Sequence, residues 1–284
     1  MSEDAKLNAY LDRVGFAGSI APNLSTLQAL HLAHPTAIAF ENIEPLVGRP
    51  VLLDRASIEQ KLVAGKRGGY CYEQNLLFMR VLKSLGYTVT GLAARILWNR
   101  PEGAVGQRSH MAMAVELGGT TYLADVGFGG LTLTAPLKLK TGIEQETPHE
   151  TFRITGEEPV YRLEALVGEE WRPLYQFETT EQFEIDYEAP NWFQSTHPSS
   201  RFKQRLVVAR PGRGRRLALD NNHLTIHTIG GETERRELES VIEIREVLSS
   251  QFGIVLGEDA AFDAVMGELL DAEAAAFAQP AIPR

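Results

Sequence analysis

The spacing of apolar residues in this chain changes from helical to strand-like near residue 88, and that change limits what it can fold into. Before it the period is helical. Leu7, Tyr10, Leu11 and Val14 fall at i, i+3, i+4 and i+7, with Gly15 as the stop. Ser25 to Gln28 and Ser57 to Gln60 each have the form of a capping box that opens a helix, and Pro35 is expected to close the first of these. From Thr88 the pattern is that of strands. Thr88 to Trp98 is one candidate, and His110 to Leu117 alternates cleanly. An all-helical opening followed by a strand-rich region predicts an α+β chain.

The strand region contains its own pairing instruction. Gly118-Gly119 is a two-residue hairpin signal between His110–Leu117 and Thr120–Val126. Pairing of Leu117 with Thr120 sets Ala112 opposite Asp125 and His110 opposite Gly127, so His110 and Asp125 share a face as diagonal neighbours, about 7 to 8 Å apart at the backbone. Met111, Met113, Val115 and Leu117 take the other face. Further strand-like segments at Leu131–Leu139, Thr151–Ile154, Tyr161–Val167 and Trp171–Phe177 predict a small barrel or sandwich. Pro190 and Pro198 mark a crossing segment, and hairpins between Arg205 and Leu238 precede helices at Val241–Phe252 and Ala260–Phe277. The expected division is residues 1–87, helical; 88–195, strand-rich; and 196–284, mixed.

The only cysteine, Cys71, lies in Arg67-Gly68-Gly69-Tyr70-Cys71-Tyr72-Glu73-Gln74-Asn75, ahead of a helical run that ends near Gly86. A sulfur at a helix start meets free backbone N–H groups and the positive end of the helix dipole, which favour its anion. A lone cysteine is more often a small buried hydrophobe, so its partners decide the matter. A nucleophilic cysteine needs a histidine to take its proton and a carboxylate or amide to orient that histidine. His110 and Asp125, each unremarkable alone, are supplied together on one face of one hairpin, which makes Cys71, His110 and Asp125 a candidate catalytic set.

Composition narrows the remaining classes. At 284 residues, with 44% hydrophobic and 23% charged residues, the chain is long and apolar enough for a sizeable core. It has no apolar run long enough to span a bilayer, an acidic Ser2-Glu3-Asp4 unlike a signal peptide, and a single cysteine. A cytoplasmic protein is expected. The net charge of −9 argues against nucleic-acid binding. No metal-ligand spacing is present: His31/His34 and His223/His227 have no further clustered ligands and read as packing or surface residues. Gly129 and Gly130 could let backbone N–H groups approach a phosphate or form only a turn. Arg210, Arg213, Arg215 and Arg216 form either a solvated hairpin turn or a contact for a phosphorylated ligand.

The segment Arg67 to Glu73, with Ser109-His110-Met111 and Asp125-Val126-Gly127-Phe128-Gly129, resembles the arylamine N-acetyltransferases. Phe40-Glu41-Asn42 and Ser195 to Phe202 extend the resemblance over nearly the whole chain. It implies a helical bundle, a β-barrel and an α/β lid around a papain-like Cys-His-Asp core. It also implies acetyl-coenzyme A as co-substrate, no metal, an aromatic amine or hydrazine as acceptor, and an acceptor pocket on Phe40, Phe128 and Phe202. A monomer or homodimer without membrane or nucleic-acid partners is expected. The departures are Ala39, where proline is usual, and the bulky His197; both bear on the acceptor pocket. The same triad could instead serve a cysteine amide hydrolase or a transglutaminase-like enzyme, and a silent ligand-binding module is the alternative of another kind.

Overall fold

The computed structural model describes residues 2–101 and 103–278, without the side chains of 274–278. Residues 279–284, the end of the third expected segment, lie outside the described residues. Helix α1 (Glu3–Val14) begins at Ser2, whose hydroxyl oxygen accepts the Ala5 N–H, and stops at Gly15. Helix α2 (Leu24–Ala37) begins and ends outside the expected marks. Asn23 accepts the Thr26 N–H at 3.0 Å, and Pro35 sits inside the last turn. A proline there withdraws one N–H from the ladder, and the buried Leu27, Leu30 and His31 hold the helix across that gap.

Strand β1 (Phe40–Glu41) interrupts the helical opening, which is therefore not all-helical. Two short helices follow, α3 (Ile43–Leu46) and α4 (Arg55–Ile58), the second capped by Asp54 and so starting before the expected Ser57. It runs into a π-helical turn over Glu59–Ala64, and then comes α5 (Cys71–Ser84).

Strands β2 (Thr88–Ile96), β3 (Arg108–Leu117), β4 (Thr120–Ala124), β5 (Leu137–Lys138), β6 (Glu144–Glu146), β7 (Thr151–Glu157), β8 (Val160–Val167) and β9 (Glu170–Glu178) form one antiparallel sheet in the order β5-β4-β3-β2-β9-β8-β7-β6. Of Leu131–Leu139 only Leu137–Lys138 is strand. The outer strands are tied by one side chain: Gln145 accepts the Lys138 N–H at 2.8 Å and donates to its carbonyl at 2.9 Å, so the sheet is a nearly closed barrel. The β3–β4 hairpin has the expected register, Leu117 opposite Thr120 and Met113 opposite Ala124. Its two glycines have φ of 57° and 75°, as a type I′ turn requires. The alternation on β3 separates two cores. Met111, Met113 and Val115 pack with Leu76, Leu77 and Phe78 of α5, while Ala112 and Ala114 face the barrel interior with Leu92 and Leu163.

Helix α6 (Glu188–Thr196) crosses to a second sheet, β1-β10-β11-β12-β13, made by β10 (Val207–Gly212), β11 (Arg215–Asp220), β12 (His223–Thr228) and β13 (Thr233–Glu237). Its edge is the short strand from the opening segment, with Phe40 opposite Ala209. Helices α7 (Val241–Ser250) and α8 (Ala260–Ala278) cover it through Ile244, Leu248, Phe262 and Met266. Among the described residues no helix is long and apolar enough to cross a membrane.

Candidate active site

Cys71 is the first residue of α5 and is buried. The three polar residues of the next turn are also buried, and each holds a different part of the molecule. Glu73 accepts the Tyr70 N–H at 3.1 Å and the Lys61 amine at 2.7 Å, which fixes the entry to the helix. Gln74 donates to the carbonyls of Ala39 and Gly69, at 2.8 and 3.1 Å, and so seats β1 against the glycine loop. Asn75 reaches the strands: it donates to the Met111 carbonyl at 2.6 Å and to Asp125 Oδ1 at 2.9 Å, and accepts the Val126 N–H at 3.0 Å. Gly127 closes against this turn. A Cβ there would lie 2.9 Å from Cys71 Cα and 2.8 Å from Asn75 Nδ2, so no larger residue fits.

The hairpin brings His110 and Asp125 to Cys71. His110 Nε2–H donates to Asp125 Oδ2 at 2.7 Å, and the pair is almost wholly removed from water, at 2% and 0% exposure. Asp125 Oδ1 also accepts the Gly127 N–H at 2.9 Å. A bulge lies beside this pair on the β2 side, where Ala94 faces His110 but Arg95 faces Arg108. Ser109 is the extra residue, and its carbonyl oxygen lies 3.7 Å from Cys71 Sγ. The β3–β4 pairing is untouched by it. Burial alone would lower the His110 pKa, but the Asp125 carboxylate and then Cys71 outweigh it and raise it to about 10. Burial would raise the Asp125 pKa; the facing His110 and the bonds from Asn75 and Gly127 bring it below the usual carboxylate range. With Nε2 committed to Asp125, Nδ1 is left for the sulfur. The arrangement can hold an imidazolium beside a thiolate in a low-dielectric site, which is the starting state for acyl transfer through sulfur.

Aromatic rings surround it. Phe128 meets the His110 ring edge to face at 5.4 Å, and Tyr175 lies 5.0 Å from it. Phe202 contacts both Phe40, at 6.0 Å, and Tyr70, at 5.6 Å. Gly129 lies over the Phe40 ring, its Cβ position 3.6 Å away. Gly130 is exposed, with open space at its own. The expected residues Phe40, Phe128, Phe202 and Gly129 therefore lie in one chain of contacts running from His110 to the Tyr70 side of the helix start, and Gly130 stands outside it. His197 does not join it: its ring stacks on Phe193 at 4.4 Å and its Nδ1 bonds Ser199.

A family model described as N-acetyltransferase matches residues 23–261. The arylamine N-acetyltransferase of Mycolicibacterium smegmatis is 41% identical over 271 residues, which cover 93% of this chain and 98% of that protein. The Escherichia coli K12 arylamine N-acetyltransferase is 40% identical over 87% of this chain and 88% of its own length. This chain belongs to the arylamine N-acetyltransferase family. The solved structure of the Mycobacterium marinum arylamine N-acetyltransferase in complex with CoA superimposes with a TM-score of 0.89 at 41% identity, covering 92% of this chain and 98% of that one. The expected fold class is thus the arylamine N-acetyltransferase fold.

Several residues of this arylamine N-acetyltransferase site have no signal in a sequence pattern. His31 is buried and its Nε2 accepts the Asp125 N–H at 3.1 Å, behind the carboxylate; burial lowers its pKa to about 4, so it stays a neutral acceptor. His34 is buried as well, whereas His223 and His227 are surface residues. The arginine cluster divides. Arg213 and Arg215 are exposed at the turn, Arg210 caps carbonyls of Thr36 and Gln251, and Arg216 is buried. Arg216 pairs with Glu150 and donates to the carbonyls of Gly130 and Thr132, at 3.2 and 2.9 Å, which ties the second sheet to the glycine turn. Arg216→Met is expected to cost about 2 kcal/mol, because it strands the half-buried Glu150 carboxylate. Urea denaturation checks this, and a change below about 1 kcal/mol would show that the pair is dispensable.

Proposed function

We propose that this enzyme moves an acetyl group from acetyl-coenzyme A to an aromatic amine, hydrazine or related acceptor by way of an acetyl-Cys71 intermediate. The observation that carries the reading is the buried His110–Asp125 pair set beside a cysteine at a helix start. Cys71 is the nucleophile. Its thiolate attacks the thioester carbonyl, a tetrahedral oxyanion forms, and collapse breaks the bond to coenzyme A, whose departing sulfur takes the proton from His110. Backbone N–H groups at the start of α5 are the candidates for stabilising that oxyanion. Acetylation then removes the thiolate charge that helped to raise the His110 pKa. The imidazole, now neutral, takes the proton of the attacking amine, and Cys71 leaves as the thiolate. Asp125 holds the ring and stabilises its charged form in both halves.

An aromatic amine is neutral at pH 7 and a weak nucleophile, so it needs an apolar place that holds the ring near the thioester. Phe40, Phe128 and Phe202 are proposed to provide it, with Gly129 and Gly130 as the backbone approach for coenzyme A. The three segments 1–87, 88–195 and 196–284 are proposed as bundle, barrel and lid, and the cytoplasm as the place of action.

Intact-protein mass spectrometry tests the covalent step. Mixing with acetyl-coenzyme A and no acceptor is expected to add one acetyl group at Cys71, and an arylhydrazine to remove it as the acetylated product. Turnover without any adduct, under quenching fast enough to trap a thioester, would count against the two-step route. Ammonia release from glutamine without thioester turnover would favour an amide-directed enzyme.

A further inference from the structure

Phe202 lies in a three-residue 3₁₀ turn, Arg201–Lys203, between α6 and β10. A turn that short has no ladder of its own to fix a side chain, so other parts of the chain must set its place. The N–H and the carbonyl of Phe202 are each held by a buried side chain. Ser200 accepts the Phe202 N–H on its hydroxyl oxygen at 3.3 Å and donates its hydroxyl to the Gln194 carbonyl of α6 at 2.6 Å. Asn42 donates to the Phe202 carbonyl at 2.8 Å. Its second amide hydrogen goes to the Arg205 carbonyl at 2.8 Å, and its oxygen accepts the Val207 N–H at 2.7 Å.

Asn42 forgoes a nearer use to do this. It stands directly before α3, where an asparagine commonly accepts an N–H of the first helical turn. Its side chain makes no such bond, and Glu41 accepts the Ile43 N–H at 2.7 Å instead. The amide reaches 160 residues along the chain, from a position two residues after Phe40. One side chain therefore fixes the turn that carries Phe202 to the strand that carries Phe40, and the two rings meet at 6.0 Å. On the other side Ser200 ties the same turn to α6, which is itself bonded to Tyr70 through Asn191, and Phe202 meets the Tyr70 ring at 5.6 Å. The Phe202 ring is thus suspended between β1 and α6 by two polar side chains acting on its backbone.

We propose that Asn42 and Ser200 are positioning residues for the second half-reaction: they hold the Phe202 ring where it receives an aromatic acceptor, and so set the advantage of ring-bearing over ring-free nucleophiles. This rests on the reading of Phe40 and Phe202 as acceptor contacts. A displacement of about 1 Å in a positioning group can cost up to about a hundredfold in rate, so loss of either grip is large enough to measure. The first half-reaction, in which the thioester acylates Cys71, involves no acceptor ring and is not governed by these two side chains.

The test loads the full chain with acetyl-coenzyme A and follows discharge of acetyl-Cys71 by rapid-quench mass spectrometry, with hydrazine or phenylhydrazine at concentrations below saturation. The two nucleophiles share their reacting group, and only one carries a ring. Asn42→Asp keeps an acceptor for the Val207 N–H and loses both donors; Ser200→Ala removes one hydroxyl and is the milder change should the first variant fail to fold, which circular dichroism melting shows. In each, discharge by phenylhydrazine is expected to be about tenfold slower than in the parent and discharge by hydrazine to stay within about twofold. In a Phe202→Ala background neither substitution should slow phenylhydrazine further, because the ring through which they act is gone. Equal slowing of both nucleophiles would overturn the proposal by showing a general loosening of the site. So would an unchanged phenylhydrazine rate in Ser200→Ala, or full additivity with Phe202→Ala. Formation of acetyl-Cys71 in the parent separates these results from failure of the acetyl-transfer reading, in which the parent itself takes up no acetyl group and this inference falls with it.

Discussion

Cys71→Ala is expected to leave no acetyl transfer above the uncatalysed background, a loss of at least about ten-thousandfold in turnover, with the fold unchanged. The substitution removes a single sulfur atom from a buried position, so the destabilisation is small beside the loss of function. Both half-reactions proposed above pass through a bond to that sulfur. Product formation with an aromatic amine measures the effect, with the variant at high concentration so that trace turnover is visible. Turnover above about one per cent of the parent rate would remove Cys71 from the reaction. The same variant carries a second signature. Without the sulfur, one of the contributions that raise the His110 pKa is gone, so the ring should titrate at lower pH in its NMR spectrum.

Asp125→Asn is expected to lower turnover by about a thousandfold or more in a folded protein, through the state of His110. The attraction of the Asp125 carboxylate is the largest influence opposing burial at His110. With an amide in its place, burial prevails, the imidazolium is lost near neutral pH, and the ring is no longer held in one tautomer. Stability should report the same change. In the parent protein the folded pKa of His110, about 10, lies above its ordinary value near 6.5. Its contribution is complete below pH 6.5 and is lost as pH rises towards 10, a decline on the order of 1 kcal/mol per pH unit. Asp125, with its folded pKa depressed, contributes above the ordinary carboxylate range and loses its share as pH falls. The variant should therefore be least stable relative to the parent near pH 6, and the difference should shrink by the His110 share as pH approaches 10. Urea midpoints measured from pH 6 to pH 9.5 check this. A constant offset across that range, or near-normal activity of Asp125→Asn, would remove the carboxylate from its orienting role.

The parts of the site readable in the sequence were those fixed by local rules. A two-glycine turn with a regular strand on each side sets its own register, so the shared face of His110 and Asp125 followed from counting residues. The bulge at Ser109 left that inference intact only because it lies on the β2 side of the strand. Polar residues in the first turn of a helix normally read as a solvated face, so the burial of Glu73, Gln74 and Asn75 has no counterpart in the hydrophobic pattern. Their partners lie in other segments of the chain. Strand β1 has two residues, too few to display a period, and is a strand only because β10 arrives beside it from far along the chain. The spacing of His31 and His34 predicts packing or surface residues; packing is right for His31, but its bond to the Asp125 N–H depends on the docking of the hairpin against α2. Pro35 misled for the converse reason: a local breaker was overruled by the core around it.

The three polar side chains that follow Cys71 also set an order in time. As the chain is made, the cysteine leaves the ribosome before His110 and Asp125 exist, and for that interval it is an ordinary thiol on an incomplete helical segment. Asn75 cannot grip the Met111 carbonyl and the Asp125 carboxylate until the hairpin is complete and has docked. The sulfur thus meets its base only once the hairpin has docked, and a chain interrupted before residue 125 carries the cysteine without its chemistry. Reactivity towards a thiol reagent becomes a gauge of the docking of that hairpin, with the nucleophile itself as the reporter.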